Sequence, residues 1–191
     1  MTALLEKKGE MTWREFHEME FPDDDLFIYE LINGILVKKS APKPIHQLLS
    51  QRIEYVLENF LRQTPLGQYF HAPIDVFFDD YNAVQPDICF LTTERSFLID
   101  LNEGILGAPD LIVEILSPGS LRFDRGDKKD LYERFAVKEY WIVDPNNRAV
   151  EVYVMRENAY AVHDIFETEG KITSTVLPGF ELEINELFKS E

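Results

Sequence analysis

The stretch PDLIVEILSP, Pro109 to Pro118, decides how this chain folds. From Leu111 to Leu116 every position but one is apolar, which is the pattern of a strand buried on both faces. A second run, EYWIVDP, Glu139 to Pro145, has the same character and is closed by its proline. The segment LRFDRGDKKDLYERFAV between them reads as a helix beginning near Gly126 or a turn before it. A helix between two apolar strands predicts a parallel crossover, so the strands around Val113 and Ile142 should be central and adjacent.

Outward from that unit, PIHQLLSQRIEYVLENFLRQ carries apolar residues at a helical period and is stopped by Pro65 and Gly67. FIYELINGILVKK is two β-like runs around Asn33-Gly34, a hairpin signal. MTWREFHEME predicts a short helix with Thr12 as N-cap and Glu15 three residues later. YFHAPIDVFF and VQPDICFL read as strands separated by the turn-rich DDYNA. AVEVYVM and AYAVHDIFE predict a hairpin, followed by the tail LPGFELEINELF. The fold class is α/β or α+β with a mixed central sheet. One domain is expected over 1–191, with a core at about 26–145 and a C-terminal β extension at about 148–188.

The chain's 45% hydrophobic and 13% aromatic content suits a sizeable core. No apolar run is long enough to span a membrane, and MTALLEKKGEMTWREF lacks the basic start and apolar stretch of a signal peptide. The single cysteine, Cys89, excludes an internal disulfide and a Cys-rich zinc site and reads as packing. These features suit a cytoplasmic protein. A net charge of −16 argues against loose nucleic-acid binding, so any nucleic-acid contact would have to be local. Basic residues cluster at Lys38, Lys39 and Lys43, and at Arg122, Arg125, Lys128 and Lys129.

Glu114 interrupts the opening strand, and a buried carboxylate costs several kcal/mol unless it is paired or metal-bound. Asp110 lies roughly 13 Å away along an extended strand, too far to share an ion. Asp87, in VQPDICFL, can converge with Glu114 if its strand lies alongside. Two carboxylates plus waters make an ordinary Mg²⁺ site; without a metal, one of them would stay protonated. On the following helix, Lys128 shares a face with Leu131, Tyr132 and Phe135, whereas Lys129 does not. Asp124 would join that face if the helix extends back to it.

QPDI, PDLIVEILSP and DRGDKKDLYERFAVKEYWIVDP, in that order, resemble the PD-(D/E)XK nuclease superfamily. More narrowly the chain is similar to the Uma-type putative restriction endonucleases, a likeness extending to YELINGILVKKSAPKPIHQLL and LPGFELEINELF. The resemblance implies a restriction-endonuclease-like core in which Asp87 and Glu114 ligate Mg²⁺, with Mn²⁺ an alternative. The superfamily lysine expected two residues after the glutamate is Leu116 here. The Uma-type pattern instead places a lysine on the next helix, four before a tyrosine, as Lys128 stands to Tyr132. Glu30 and His46 also belong to the resemblance, Glu30 as an inward acidic residue and His46 as a contact for phosphate or water.

Each candidate has a structural reading too. Glu114 and Glu30 could be paired with a base, Asp87 could end a strand, Lys128 could reach solvent, His46 could simply open its helix, and Asp124 could be a cap. The functional expectation is a Mg²⁺-dependent endonuclease acting on DNA as a homodimer or higher oligomer. The alternatives are an RNA phosphodiesterase and a non-catalytic oligomeric protein that uses the C-terminal hairpin and FELEINELF as its interface.

Overall fold

The computed structural model describes residues 3–5, 11–20 and 27–189. The leader reading rests partly on residues 1, 2 and 6–10, outside the described set. In chain order the first elements are β1 (Ala3–Leu5), α1 (Trp13–His17), β2 (Phe27–Ile32), β3 (Ile35–Ser40) and α2 (Pro44–Gln63). Then come β4 (Gly67–His71), β5 (Val76–Asp79), β6 (Asn82–Val84), β7 (Ile88–Thr92), a 3-10 segment (Thr93–Leu98), β8 (Ile99–Asp100) and β9 (Gly104–Leu106). The second half holds β10 (Leu111–Ile115), α3 (Leu121–Arg125), α4 (Asp127–Arg134), β11 (Glu139–Asp144), β12 (Ala149–Arg156) and β13 (Ala159–Phe166). A small pair, β14 (Lys171–Thr173) and β15 (Glu181–Glu183), and α5 (Ile184–Leu187) close the described chain.

The mixed α/β class holds, but the strands form two large sheets rather than one. One has the order β13-β12-β11-β10-β7-β4 and the other β1-β3-β2-β6-β5-β9-β8. At the centre of the first, β10 pairs parallel with β11, with Glu114 opposite Ile142, and antiparallel with β7, with Val113 opposite Ile88. The crossover between β10 and β11 is helical, as expected.

Strand alternation divides β10 between two cores. Leu111, Val113 and Ile115 join Phe90, Trp141 and Val143 against Leu49, Ile53 and Leu57 of α2. Each of these helix residues is fully buried, and truncating one to alanine is expected to cost about 2–5 kcal/mol. Ile112 and Leu116 point the other way, with Tyr140 and Ile142, against α4 and the second sheet. Glu114, between them in the alternation, is therefore aimed between the layers.

Prolines explain two departures from the sequence expectation. YFHAPIDVFF is not one strand: β4 ends at His71 and β5 begins at Val76 in the other sheet. VQPDICFL is likewise divided between β6 and β7. Pro73 and Pro86 lack the N–H that a continuing ladder needs, and at those points the chain passes between sheets. Gly126, at φ −118° and ψ −98°, divides the expected crossover helix into α3 and α4. Thr12 caps α1 in a full capping box with Glu15.

The C-terminal hairpin continues the first sheet, β12 pairing with β11 and β13 with β12. The tail does not offer an apolar interface: Phe180, Leu182, Ile184 and Leu187 are buried in the chain's own core. Glu139 anchors the segment before it, accepting from Trp141 Nε1, from Thr175 N and Oγ1, and from Val176 N. No helix among the described residues is long and apolar enough to cross a membrane.

Candidate active site

Asp87 lies in the bend between Pro86 and β7, where a proline has ended one strand and the next has not begun. Its Oδ2 accepts a hydrogen bond from the Ile115 amide at 2.6 Å and pairs with His46 Nε2 at 2.9 Å. The first contact fixes Asp87 beside Glu114 by way of the backbone of β10. The second brings in His46, which stands in the first turn of α2 after Pro44 has preset the helical backbone. The Nδ1 atom of His46 is buried and has no hydrogen-bond partner among the described residues.

Glu114 is 1% exposed. Its Oε1 accepts from Lys128 Nζ at 2.7 Å and Tyr132 Oη at 2.6 Å. Lys128 and Tyr132 lie one turn apart on α4, so both address the same oxygen. Lys128 also reaches Glu30 Oε1 at 2.8 Å and is fully buried. Glu30 Oε1 further accepts from the Gln85 amide at 2.9 Å and lies 3.3 Å from Lys39 Nζ. Asp124, across the Gly126 break, brings a carboxylate oxygen within 4.0 Å of Lys128. It is buried rather than capping a helix: the N-terminal position of α4 is Gly126.

A cavity of about 310 Å³ opens onto this cluster. Lys39, His46, Gln85, Asp87, Glu114 and Ser117 contribute to its wall. Lys128 and Glu30 lie behind that wall. Asp87 Oδ1 and Glu114 Oε2 receive no hydrogen bond or ion pair from any described residue. The second oxygens of two neighbouring carboxylates are thus available at one cavity, and hard oxygen donors of this kind suit Mg²⁺ or Mn²⁺. Among the described residues, no three His, Cys, Asp or Glu side chains form a metal cluster.

The electrostatics separate the acids. Burial pushes the Glu114 carboxyl up to about 7, with Asp124 adding to the rise against the opposing Lys128 ammonium. Burial would also raise Glu30, but Lys128 and Lys39 outweigh it and hold that carboxyl below its ordinary value. Burial acts on Asp87 in the same sense and is overcome by His46, Lys39 and the Ile115 amide. Burial lowers and three carboxylates raise Lys128, leaving it well above the ordinary lysine value and charged.

The residues expected from the sequence converge: Asp87, Glu114, Lys128, Glu30 and His46 form one connected network, with Asp124 at its edge. Lys39 is a member that the sequence reading left in a general basic cluster. Lys38 and Lys39 point to opposite faces of β3, and the contact with buried Glu30 identifies the Lys39 face as the one toward the cavity. His71 also borders the cavity, and its Nδ1 lies 3.0 Å from the Ala72 carbonyl.

The family model Uma2, described as putative restriction endonuclease, matches residues 13–185, and the chain belongs to that family. Among solved structures, it is similar to a putative nuclease belonging to DUF820 from Anabaena variabilis ATCC 29413. That match has a TM-score of 0.75 and 21% identity, covering 93% of this chain and 97% of the other. At that identity the likeness speaks for the fold. No curated protein matches.

Proposed function

We propose that this Uma2-family chain is a divalent-metal-dependent nuclease that hydrolyses DNA phosphodiester bonds, with Asp87 and Glu114 as the metal-holding pair. The observation that carries this is that Asp87 and Glu114 line one cavity, with no bond from a described residue to Asp87 Oδ1 or Glu114 Oε2. A Mg²⁺ or Mn²⁺ ion held there would acidify a water molecule and offset the charge of a phosphodiester.

The protein's own groups set up that pair. Lys128 and Tyr132 hold Glu114 by one oxygen and leave the other without a bond from a described residue, on a side chain that lines the cavity. The Ile115 amide and His46 do the same for Asp87. Glu30 keeps Lys128 charged and in place, so that Lys128 acts as a positioning residue. His46, at the cavity wall, is placed to orient a water or a phosphate oxygen.

The net charge of −16 favours recognition confined to the cavity mouth. RNA offers the same phosphodiester chemistry and is the second substrate class to test. A cytoplasmic location accords with the single buried thiol, Cys89. Association of copies is supported by β13, an edge strand with Val162 and Ile165 about half exposed.

The test is direct. Plasmid DNA, linear duplex DNA and single-stranded RNA are incubated with the purified chain and Mg²⁺ or Mn²⁺, with and without chelator. Chelator-sensitive cleavage that disappears in Asp87→Asn and Glu114→Gln is expected. Cleavage that survives either substitution, or that no divalent ion supports, would contradict the proposal.

A further inference from the structure

The geometry points to Lys39, not Lys128, as the ammonium that meets the substrate phosphate, an inference that rests on Asp87 and Glu114 being the metal-holding pair. Lys39 is the one lysine or arginine among the described residues lining the cavity. Adjacent residues of β3 point to opposite faces: Lys39 lies beside buried Glu30 at the cavity wall, while Lys38 sits over the Phe27 ring at 3.7 Å. The Lys39 side chain is 14% exposed, whereas that of Lys128 is fully buried.

The two lysines also differ in how firmly they are held. Lys128 joins two carboxylates, at 2.8 Å to Glu30 and 2.7 Å to Glu114. Moving it to a ligand would strip both acids of a cation inside the protein. Lys39 has one carboxylate partner, Glu30, and at 3.3 Å this is the longest of the three contacts on that oxygen. If Lys39 turns to a ligand, Glu30 keeps Lys128 and the Gln85 amide. Lys39 can therefore exchange Glu30 for a phosphate oxygen without leaving a buried acid alone. Within a chain of strongly negative net charge, this places an exchangeable cation at the wall of the cavity that a phosphodiester would enter.

The probe is the dinucleotide dTdT, which carries one phosphodiester, titrated into the Ca²⁺-loaded chain by calorimetry. Mn²⁺ is titrated separately into each variant. Lys39→Met keeps the apolar stem and removes the charge; Lys39→Arg keeps the charge. The expected result is that Lys39→Met weakens dTdT binding about tenfold or more and that Lys39→Arg restores most of the loss. Mn²⁺ binding should persist in both variants. Equal dTdT affinity in wild type and Lys39→Met, with Mn²⁺ still bound, would overturn the role of Lys39 alone. Failure of wild type to bind Mn²⁺ would overturn the nuclease reading and this inference with it.

Discussion

Asp110 immediately precedes β10 and Glu114 lies four residues on, near its end, and the two are buried almost equally at 0% and 1% exposure. Their surroundings are opposite. Asp110 lies 2.7 Å from Lys138 Nζ and 3.7 Å from Arg95, and its second oxygen accepts from the Thr92 amide. Both its oxygens face a partner, Oδ1 through these ion pairs and not through a hydrogen bond. Burial raises its carboxyl, but Lys138 and the Thr92 amide outweigh that, and it titrates below its ordinary value. Glu114 lines a cavity with one oxygen saturated by Lys128 and Tyr132 and the other without a bond from a described residue, and burial raises it to about 7. Burial alone therefore does not mark a functional acid. A buried carboxylate with both oxygens matched to a cation or an amide fastens the fold, and one left incomplete at a cavity is a place for a ligand.

The largest effect should divide these two acids. Glu114→Gln is expected to lower metal-dependent cleavage about a hundredfold or more, measured as initial rate on duplex DNA. Asp110→Asn should leave the rate near wild type; an equal loss would erase the contrast. Next is Lys128→Ala, which leaves Glu30 and Glu114 without their shared cation. It should cost about 3–5 kcal/mol of stability in urea unfolding. A change below about 1 kcal/mol would mean that the buried network does not depend on Lys128.

Asp110→Asn should cost less, about 1–2 kcal/mol near neutral pH, because Lys138 is half exposed and screened. The sign follows from its depressed carboxyl. The stabilisation is present above the unfolded value of about 3.9 and is lost as pH falls through the lower folded value. The gap between wild type and Asp110→Asn should thus narrow as unfolding is measured toward pH 3; a widening gap would contradict the assignment. The smallest effect is that of Lys129→Ala, next to Lys128 in sequence but half-buried over the Tyr153 ring at 4.8 Å. Its cost should stay within about 1 kcal/mol, with activity retained.

Much of this arrangement is legible in the sequence because short-range rules govern it. The parallel pair β10 and β11 follows from two apolar runs separated by a helix. Lys128 is recognisable as inward from its spacing to Leu131 and Tyr132. Asp87 is the acid expected beside Glu114 because Asp110 lies too far along the chain to share an ion with it. Other features depend on contacts distant in sequence. The pairing of β2 with β6 joins Leu31 to Ala83, and no local pattern announces it. Pro73 and Pro86 signal interruption, but not that the chain changes sheet there. FELEINELF is amphipathic, and only its packing in the core containing α2 shows that its apolar side is spent inside the molecule. Lys39 is not legible in the same way: Leu36 and Val37 are both apolar, so alternation separates Lys38 from Lys39 without saying which of them faces inward.

The most direct test of the central claim is a calorimetric titration of Mn²⁺ into wild type, Asp110→Asn and Glu114→Gln. Wild type and Asp110→Asn are expected to bind the ion alike, and Glu114→Gln to lose that binding while remaining folded. Undiminished binding by Glu114→Gln, or none by wild type, would contradict the assignment of Asp87 and Glu114 as a shared metal site.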